Sequence, residues 1–558
     1  MYHRAVQPRP PVSWQITLLA LLLAATSAGV IQQYESYTFL HGDGAFYATI
    51  NRAILEGTLQ QRGFQPASWF ERPMGWNNDL DIGWSNMSQG PDGTWWPKHP
   101  ILLPILTTPL YWLLGPLGAL VANVLLLCLG LLCAARLAAR LADPTVAGLT
   151  ALAFAALPLM THSAYSYSND VMYAALVVAG VECYVSAAFG WSGFLLALAV
   201  WSKPPMAVFP GLLGLTLLGR RQWRPALAMV LGGLPPSIAL FGQNLWMFGS
   251  PLTFSYDRIL VTRGGRAALE AAGSKMHRPL WAGLRAVWQD DQQGLRQQVS
   301  WGLTALLGVP LWLRAAPLLG MTFLLTLCGF FLFYAKWDYT YARFYLPWLL
   351  LSVVPAALLL QRIAALAVRA AALPRRWLLL AALTALAATV LTVVTLRRPT
   401  TRWSATRAIG HARVERGSGR DALPCDFFNP RWQKWECAQV DREPWQTWGL
   451  ALNDQCRFPG EAGPWLWLHP NPGTARRITF DGVPPGRLRL RYGMDPKARE
   501  PGLRLVIRAL PGTEQALTVP DVGRIHALDL PRHASSVTIE VPDQPWDWRL
   551  ICAQLDVL

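Results

Sequence analysis

Apolar residues occupy the first 396 positions in long, nearly unbroken runs and the remainder in short, alternating ones. A helix crossing a hydrocarbon core needs about 20 predominantly apolar residues. Runs of about that length lie near 14–31, 117–135, 145–162, 170–188, 225–243, 299–313, 316–334, 343–361 and 377–396. The stretch 192–219 is too long for one pass and is interrupted by Lys203-Pro204-Pro205, so it reads as two short passes with the break at one membrane face. The pattern predicts eleven crossings, and the stretch 101–114 reads as a further amphipathic segment.

From about position 463 the period shortens to two. Trp465–Leu468, 477–480, 487–492, 503–507, Ile525–Leu530, 537–541 and 550–555 read as strands separated by Pro/Gly turns. Strict alternation marks half-buried antiparallel strands, and the expected fold of 397–558 is a β-sandwich or jelly roll. Nine tryptophans follow residue 400. They suit a buried core, with sugar stacking by exposed rings as the alternative.

Composition agrees with a polytopic membrane protein: 53% of residues are hydrophobic and 15% charged, against about 25% charged in soluble domains. The net charge of +16 could suggest a nucleic-acid partner, but the arginines sit in short clusters beside apolar runs. Such clusters set orientation. With eleven crossings, Arg4 and Arg9, Arg136 and Arg140, Arg220 to Arg224, Arg314, and Arg362 to Arg376 all fall on the cytoplasmic side. Loop 32–116, the Asn169-Asp170 turn, the Lys203 break, loop 244–298, the loop from Lys336 to Arg343 and all of 397–558 then face outward. Residues 1–28 also fit a cleaved signal peptide loosely, and either choice leaves the tail outside. Cys128, Cys133, Cys183 and Cys328 lie in predicted helices, whereas Cys425, Cys437, Cys456 and Cys552 lie in the external tail. Four cysteines in an oxidising compartment suggest two disulfides, with Cys425–Cys437 and Cys456–Cys552 the preferred pairing of three.

The first outer loop is the richest in chemistry. It opens with His41-Gly-Asp43-Gly-Ala-Phe-Tyr, continues through a helix-like Ala48 to Gly57, and ends at Trp95-Trp-Pro-Lys98-His99-Pro. Asp43 precedes an apolar-periodic run, which suits a helix N-cap as well as it suits a general base. Lysine is scarce: Lys98, Lys203, Lys275 and Lys336 all fall on the outer face, while Lys434 and Lys497 are in the tail. Cations there commonly meet lipid phosphates, but Lys203 stands in a helix break within an apolar context, where charge is costly and tends to be functional.

In order along the chain come Gly42-Asp43-Gly-Ala-Phe-Tyr with Asn51-Arg-Ala-Ile-Leu-Glu-Gly, Lys98-His-Pro-Ile-Leu-Leu-Pro, Asn169-Asp170, Gly193 through Ser202-Lys203-Pro204, Asn244 with Phe248-Gly-Ser-Pro-Leu and Tyr256, and Trp337 with Arg343-Phe-Tyr-Leu-Pro. This series resembles the polyprenyl-phosphate-sugar-dependent glycosyltransferases of the GT-C superfamily, which include protein O-mannosyltransferases and the lipid A aminoarabinose transferase. The resemblance covers roughly 14–361, and the 162-residue tail has no counterpart in it. It implies Asp43 as catalytic carboxylate, Lys98, Lys203 and Arg343 at the donor phosphate, and Asp170, with His99, Tyr256 and Trp337, at the acceptor or a second acidic site. Many relatives carry a second acid after the first; here Gly44 follows Asp43.

The expected reaction passes a sugar from a polyprenyl-phosphate donor to an envelope acceptor (glycan, lipid or protein) with inversion, in the inner (plasma) membrane. It requires no nucleotide, redox cofactor or nucleic acid. No metal motif stands out, although Asp43 with Asp170 or His99 could hold one divalent ion. Two other classes compete: a lipid-linked-sugar flippase, which usually places charge at the bilayer midplane, and a noncatalytic anchored protein whose tail binds envelope polysaccharide.

Overall fold

The structure is a computed structural model that describes residues 10–36, 43–57, 59–60, 87–263, 266–270, 276–289, 294–337, 341–371, 403–406, 408–416, 423–424, 427–429, 434–436, 448–453, 465–468, 475–494, 502–542 and 551–557. The chain divides into two compact units, one of Met1–Gln33, Phe46–Pro66 and Leu80–Thr395, the other of Tyr34–Ala45, Ala67–Asp79 and Leu396–Leu558.

The first unit is helical. Its helices are α1 (Val12–Ser36), α2 (Asp43–Glu56), α3 (Leu102–Leu114), α4 (Pro116–Ala138), α5 (Pro144–Ala155), α6 (Pro158–Tyr165), α7 (Asn169–Val185), α8 (Phe189–Ser202), α9 (Val208–Gly219) and α10 (Trp223–Phe248). There follow α11 (Leu280–Gln289), α12 (Val309–Ala315), α13 (Pro317–Ala335), α14 (Leu346–Leu351) and α15 (Val353–Ala371). Among the described residues, Leu117–Ala138, Trp223–Phe248 and Pro317–Ala335 are long and apolar enough to cross a membrane, and two bent pairs raise the count to five. By length and composition the described residues account for three to five of the eleven expected crossings. Proline bends two of the expected spans. Span 145–162 bends by 66° where Leu157, extended ahead of Pro158, ends α5, and 343–361 bends by 50° ahead of Pro355. Region 299–313 is a 3-10 helix, Ser300–Gly308, followed by α12 with Pro310 in its first turn. The expected span 377–396 lies outside the described residues.

At the centre of the unit is α7, buried from Asn169 to Glu182 against α4, α8 and α14. Helices α8 and α10 run parallel and cross backbone to backbone. A Cβ on Gly193 would lie 1.8 Å from the Met229 carbonyl oxygen, and one on Gly232 would lie 1.9 Å from that of Gly190. Further along the pair, the Trp201 indole N–H donates to Gln243 Oε1 at 2.8 Å. Small residues at such crossings replace the hydrophobic effect with close van der Waals packing. At the opposite end of α7 from Asp170, Glu182 accepts from Arg136 at 3.1 Å and Arg140 at 3.4 Å, joining α4 to α7.

The loops 32–116 and 244–298 contain strands that alternation did not announce. Met87–Gln89 pairs antiparallel with Trp95–Pro97 and with Ile259–Arg263, which pairs in turn with Arg266–Glu270. Side chains reinforce the seam: Ser88 Oγ donates to the Ser255 carbonyl at 2.7 Å, and Ser255 Oγ to the Lys98 carbonyl at 2.6 Å.

The second unit holds two antiparallel sheets. One of eight strands runs Ile525–Leu530, Leu488–Met494, Ile551–Val557, Trp465–Leu468, Trp448–Asn453, Lys434–Glu436 and Phe427–Asn429, with Trp403–Ser404 also on Ile551–Val557. The six-stranded sheet runs Thr513–Val519, Leu503–Leu510, Ser536–Val541, Arg476–Asp481, Arg413–Arg416 and Leu423–Pro424. Alternation explains the layering: Leu503, Leu505, Ile507 and Ala509 point inward, and Leu488 and Leu490 of the other sheet join the same core. Trp465 is buried beside Cys552, and Trp403 and Trp435 pack on the main core, in line with the core reading of these rings. Cys552 is disulfide-bonded and Cys128, Cys133, Cys183 and Cys328 are free; Cys425, Cys437 and Cys456 lie outside the described residues.

Ion pairs on the outer faces of these sheets make the unit acid-sensitive. Burial alone would raise the Glu540 pKa, but hydrogen bonds from Arg508 and Arg477 prevail and hold it below the ordinary 4.5. Hydrogen bonds from Arg489 and Arg487 bring Asp529 down from 3.8 to about 2. Depressed carboxylates stabilise the fold fully above their unfolded values, and that stability is lost as pH falls through the folded values. Glu540→Gln should therefore cost about 1–2 kcal/mol near pH 7, with the difference from wild type shrinking below about pH 4. Thermal unfolding followed by near-UV circular dichroism at both pH values checks this; an equal loss at both would contradict the ion-pair account.

Candidate functional site

The site begins with a helix that cannot continue. Pro204 and Pro205 lack the N–H groups that would reach the Val200 and Trp201 carbonyls, so α8 stops at Ser202 and Lys203 turns extended. The Ser202 carbonyl is met instead by the Asn169 side-chain amide at 2.5 Å, which ties the break to the start of α7. One residue on, the Asp170 carboxylate faces two cations. Lys203 Nζ donates to Oδ1 at 3.1 Å, and Arg343 Nε, from the 3-10 turn Ala342–Tyr345, lies 3.2 Å from Oδ2. The side chains of Asp170, Lys203 and Arg343 are 8%, 19% and 22% exposed respectively, so this is a largely desolvated cluster.

Aromatic rings complete it. Lys203 Nζ stands 3.9 Å from the Phe344 ring centre, 4.9 Å from Tyr173 and 5.5 Å from Tyr334, while the Arg343 guanidinium lies 4.9 Å from Tyr341 and 5.7 Å from Phe344. Ring faces attract cations without neutralising them. The Tyr173 hydroxyl donates to the Phe344 carbonyl at 3.3 Å and so fastens the 3-10 turn to α7.

A second buried network joins α2, α3 and the approach to α7. The Asn51 amide donates to Thr107 Oγ1 and Thr108 Oγ1 at 3.1 Å and to the Pro104 carbonyl at 3.0 Å. Tyr167 donates to Asn51 Oδ1 at 2.6 Å, and its hydroxyl is also 2.6 Å from Thr107 Oγ1. Tyr167 has φ +40°, a left-handed backbone that costs a bulky residue about 1–3 kcal/mol. That strain sits two residues before Asn169, where the chain must turn into α7.

No protein-family model matches the sequence, and no curated protein matches it. Among solved structures the chain is similar to the cryo-EM structure of arabinosyltransferase EmbB from Mycobacterium smegmatis, with a TM-score of 0.36 and 10% identity. The match covers 100% of this chain, which spans 66% of that one. A likeness of this size does not assign an activity.

The expected site residues thus separate into groups. Asp170, Lys203 and Arg343 come together, with the Asp170 carboxylate between the two cations. Trp337 has its ring 6.5 Å from that of Tyr334, and Tyr256 acts electrostatically on the same tyrosine. His99 is buried with its ring 5.3 Å from Tyr47, which in turn lies 6.1 Å from Tyr167. Lys98 is half-buried just after the strand Trp95–Pro97, its carbonyl held by Ser255. Asp43 is the first residue of α2, and its side chain, like Lys275, lies outside the described residues. Tyr173, Tyr334, Tyr167 and Asn51 were not singled out from the sequence. The spacing of Asp170 and Tyr173, three apart on one helix face, was the available signal for the first. No three His, Cys, Asp or Glu side chains gather among the described residues.

One carboxylate against two cations leaves this trio with one net positive charge in a setting where water is scarce. An anion with several oxygens, such as a phosphate diester, is the natural complement. Asp170→Asn, which removes the carboxylate from both cations, should destabilise the protein by about 3 kcal/mol. Adding Lys203→Met should restore part of that loss, because contacting charges are coupled. Thermal unfolding of the single and double variants measures this, and strictly additive losses would show that the pair is not a unit.

Proposed function

We propose that the chain is a membrane glycosyltransferase of the GT-C type, taking a sugar from a polyprenyl-phosphate donor at the outer membrane face and passing it to an envelope acceptor with inversion. The observation that carries this reading is the buried, net-positive trio of Lys203, Arg343 and Asp170 at the α8–α9 break. In this reading the donor phosphate lies against Lys203 and Arg343, with Lys98 contributing from the first outer loop. As the acceptor attacks the sugar carbon from the far side, the bond to the phosphate oxygen breaks and negative charge grows on the leaving group. Cations fixed in place beforehand stabilise that charge without reorganising, which is where most such catalysis arises. Asp43 accepts the acceptor's proton.

The remaining assignments go with it. His99, Tyr256 and Trp337 face the acceptor, eleven passes, bent and broken ones included, place the N-terminus in the cytoplasm, and the β unit lies outside with its cysteines paired as Cys425–Cys437 and Cys456–Cys552. The aromatic setting of Lys203 supports a role for it beyond orientation, since ring faces attract an ammonium without hydrogen-bonding its protons away from a further anion.

The test is transfer of radiolabelled sugar from a polyprenyl-phosphate donor by the purified protein. Asp43→Asn should reduce turnover by about 10²-fold or more, while Lys203→Ala should chiefly weaken donor binding. Full turnover by Asp43→Asn would remove it as the base, and unchanged donor affinity in Lys203→Ala would remove the phosphate site.

A further inference from the structure

The parallel crossing of α8 and α10 leaves an open groove of about 560 Å³ toward their N-terminal ends. Its walls are apolar: Ala188, Gly190 and Phe194 on one side, Ala228, Gly232 and Pro235 on the other. The glycines shape it, since the two backbones touch at Gly190 and Gly232, where neither residue has a side chain to fill the space.

The groove lining itself is uncharged, and arginines follow beyond its N-terminal end. Arg224, Ala228, Gly232 and Pro235 form one stripe on α10, so Arg224 lies one turn beyond the groove wall. Helical side chains lean toward the N-terminus, which carries its guanidinium outward, away from the apolar zone. Arg220 caps the C-terminal end of α9, three residues before Trp223 opens α10. Arg220, Arg221 and Arg224 are all exposed, and no acidic residue occurs in the loop between them. Trp191 and Trp223, each 65% exposed, flank the same end, where aromatic rings mark the boundary between hydrocarbon and headgroups.

We propose that this groove binds one anionic phospholipid, its acyl chain between α8 and α10 and its phosphate held by Arg220 and Arg224. An apolar trough ending in two arginines matches a molecule that is apolar along its length and negative at one end. A zwitterionic lipid would fill the trough but bring its own cation to the arginines. The site rests on membrane insertion of the helical unit and is independent of the proposed transfer reaction.

Native mass spectrometry of the purified full-length protein, titrated with dioleoyl-phosphatidylglycerol and dioleoyl-phosphatidylcholine, tests it. The anionic lipid should bind at least about tenfold more tightly, and Arg220→Gln or Arg224→Gln should each weaken it about fivefold while leaving phosphatidylcholine unchanged. Ala228→Phe, which puts a ring into the groove, should weaken both lipids. Arg362→Gln, an exposed arginine on α15, should alter neither. Thermal midpoints confirm that each variant is folded. Equal binding of the two lipids, indifference to both arginine variants, or a protein dimer that Ala228→Phe dissociates would each overturn the assignment.

Discussion

Asp170 is one carboxylate shared between a lysine and an arginine, and the arrangement of the surrounding helices follows from the need to keep that contact dry and compensated. Uncompensated charge in an apolar interior is far more costly than any one packing interaction there could offset. The break at Lys203, the Asn169 amide on the Ser202 carbonyl, and the Tyr173 hydroxyl on the Phe344 carbonyl all bring the three charges to one place. Each uses a backbone group that an interrupted helix or a tight turn leaves open. Backbone groups that irregular structure leaves open need partners within the protein, and here the Asn169 and Tyr173 side chains supply them.

The break itself was legible in the sequence because proline chemistry is local: Pro204 and Pro205 remove two successive helix donors, and α8 ends there, although the Pro235-Pro236 pair is accommodated inside α10. The strands of the tail were legible for a similar reason, since the alternation in Leu503–Leu510 is written in adjacent residues. The partnership of Asp170 with Lys203 and Arg343 was not, because the partners lie 33 and 173 positions away and only the packing of α7 against its neighbours joins them. Length misled in the other direction. The runs 145–162 and 343–361 have the apolar content of straight spans, yet proline bends both, and hydropathy does not register direction.

The two ends of α7 solve the same electrostatic problem with different partners in reach. At one end Glu182 accepts from Arg136 and Arg140, with Ser186 donating to the same oxygen at 3.0 Å. At the other, Asp170 meets two cations surrounded by rings, which supply no hydrogen-bond acceptors of comparable strength. Glu182 is thus met by three hydrogen-bond donors, and Asp170 by two cations set among aromatic rings.

The small sheet that unites Met87–Gln89, Trp95–Pro97, Ile259–Arg263 and Arg266–Glu270 turns two loops, far apart along the chain, into a single mechanical piece. Its seam is made of peptide groups, with serines 88 and 255 adding hydroxyl bonds to carbonyls, so few side-chain identities are needed to keep it shut. Lys98 is anchored through its own carbonyl to that piece. Any displacement of the lysine backbone must therefore drag the hairpin 259–270 along or break the Ser255 bond, and a tag on that hairpin would sense events at Lys98 without touching it.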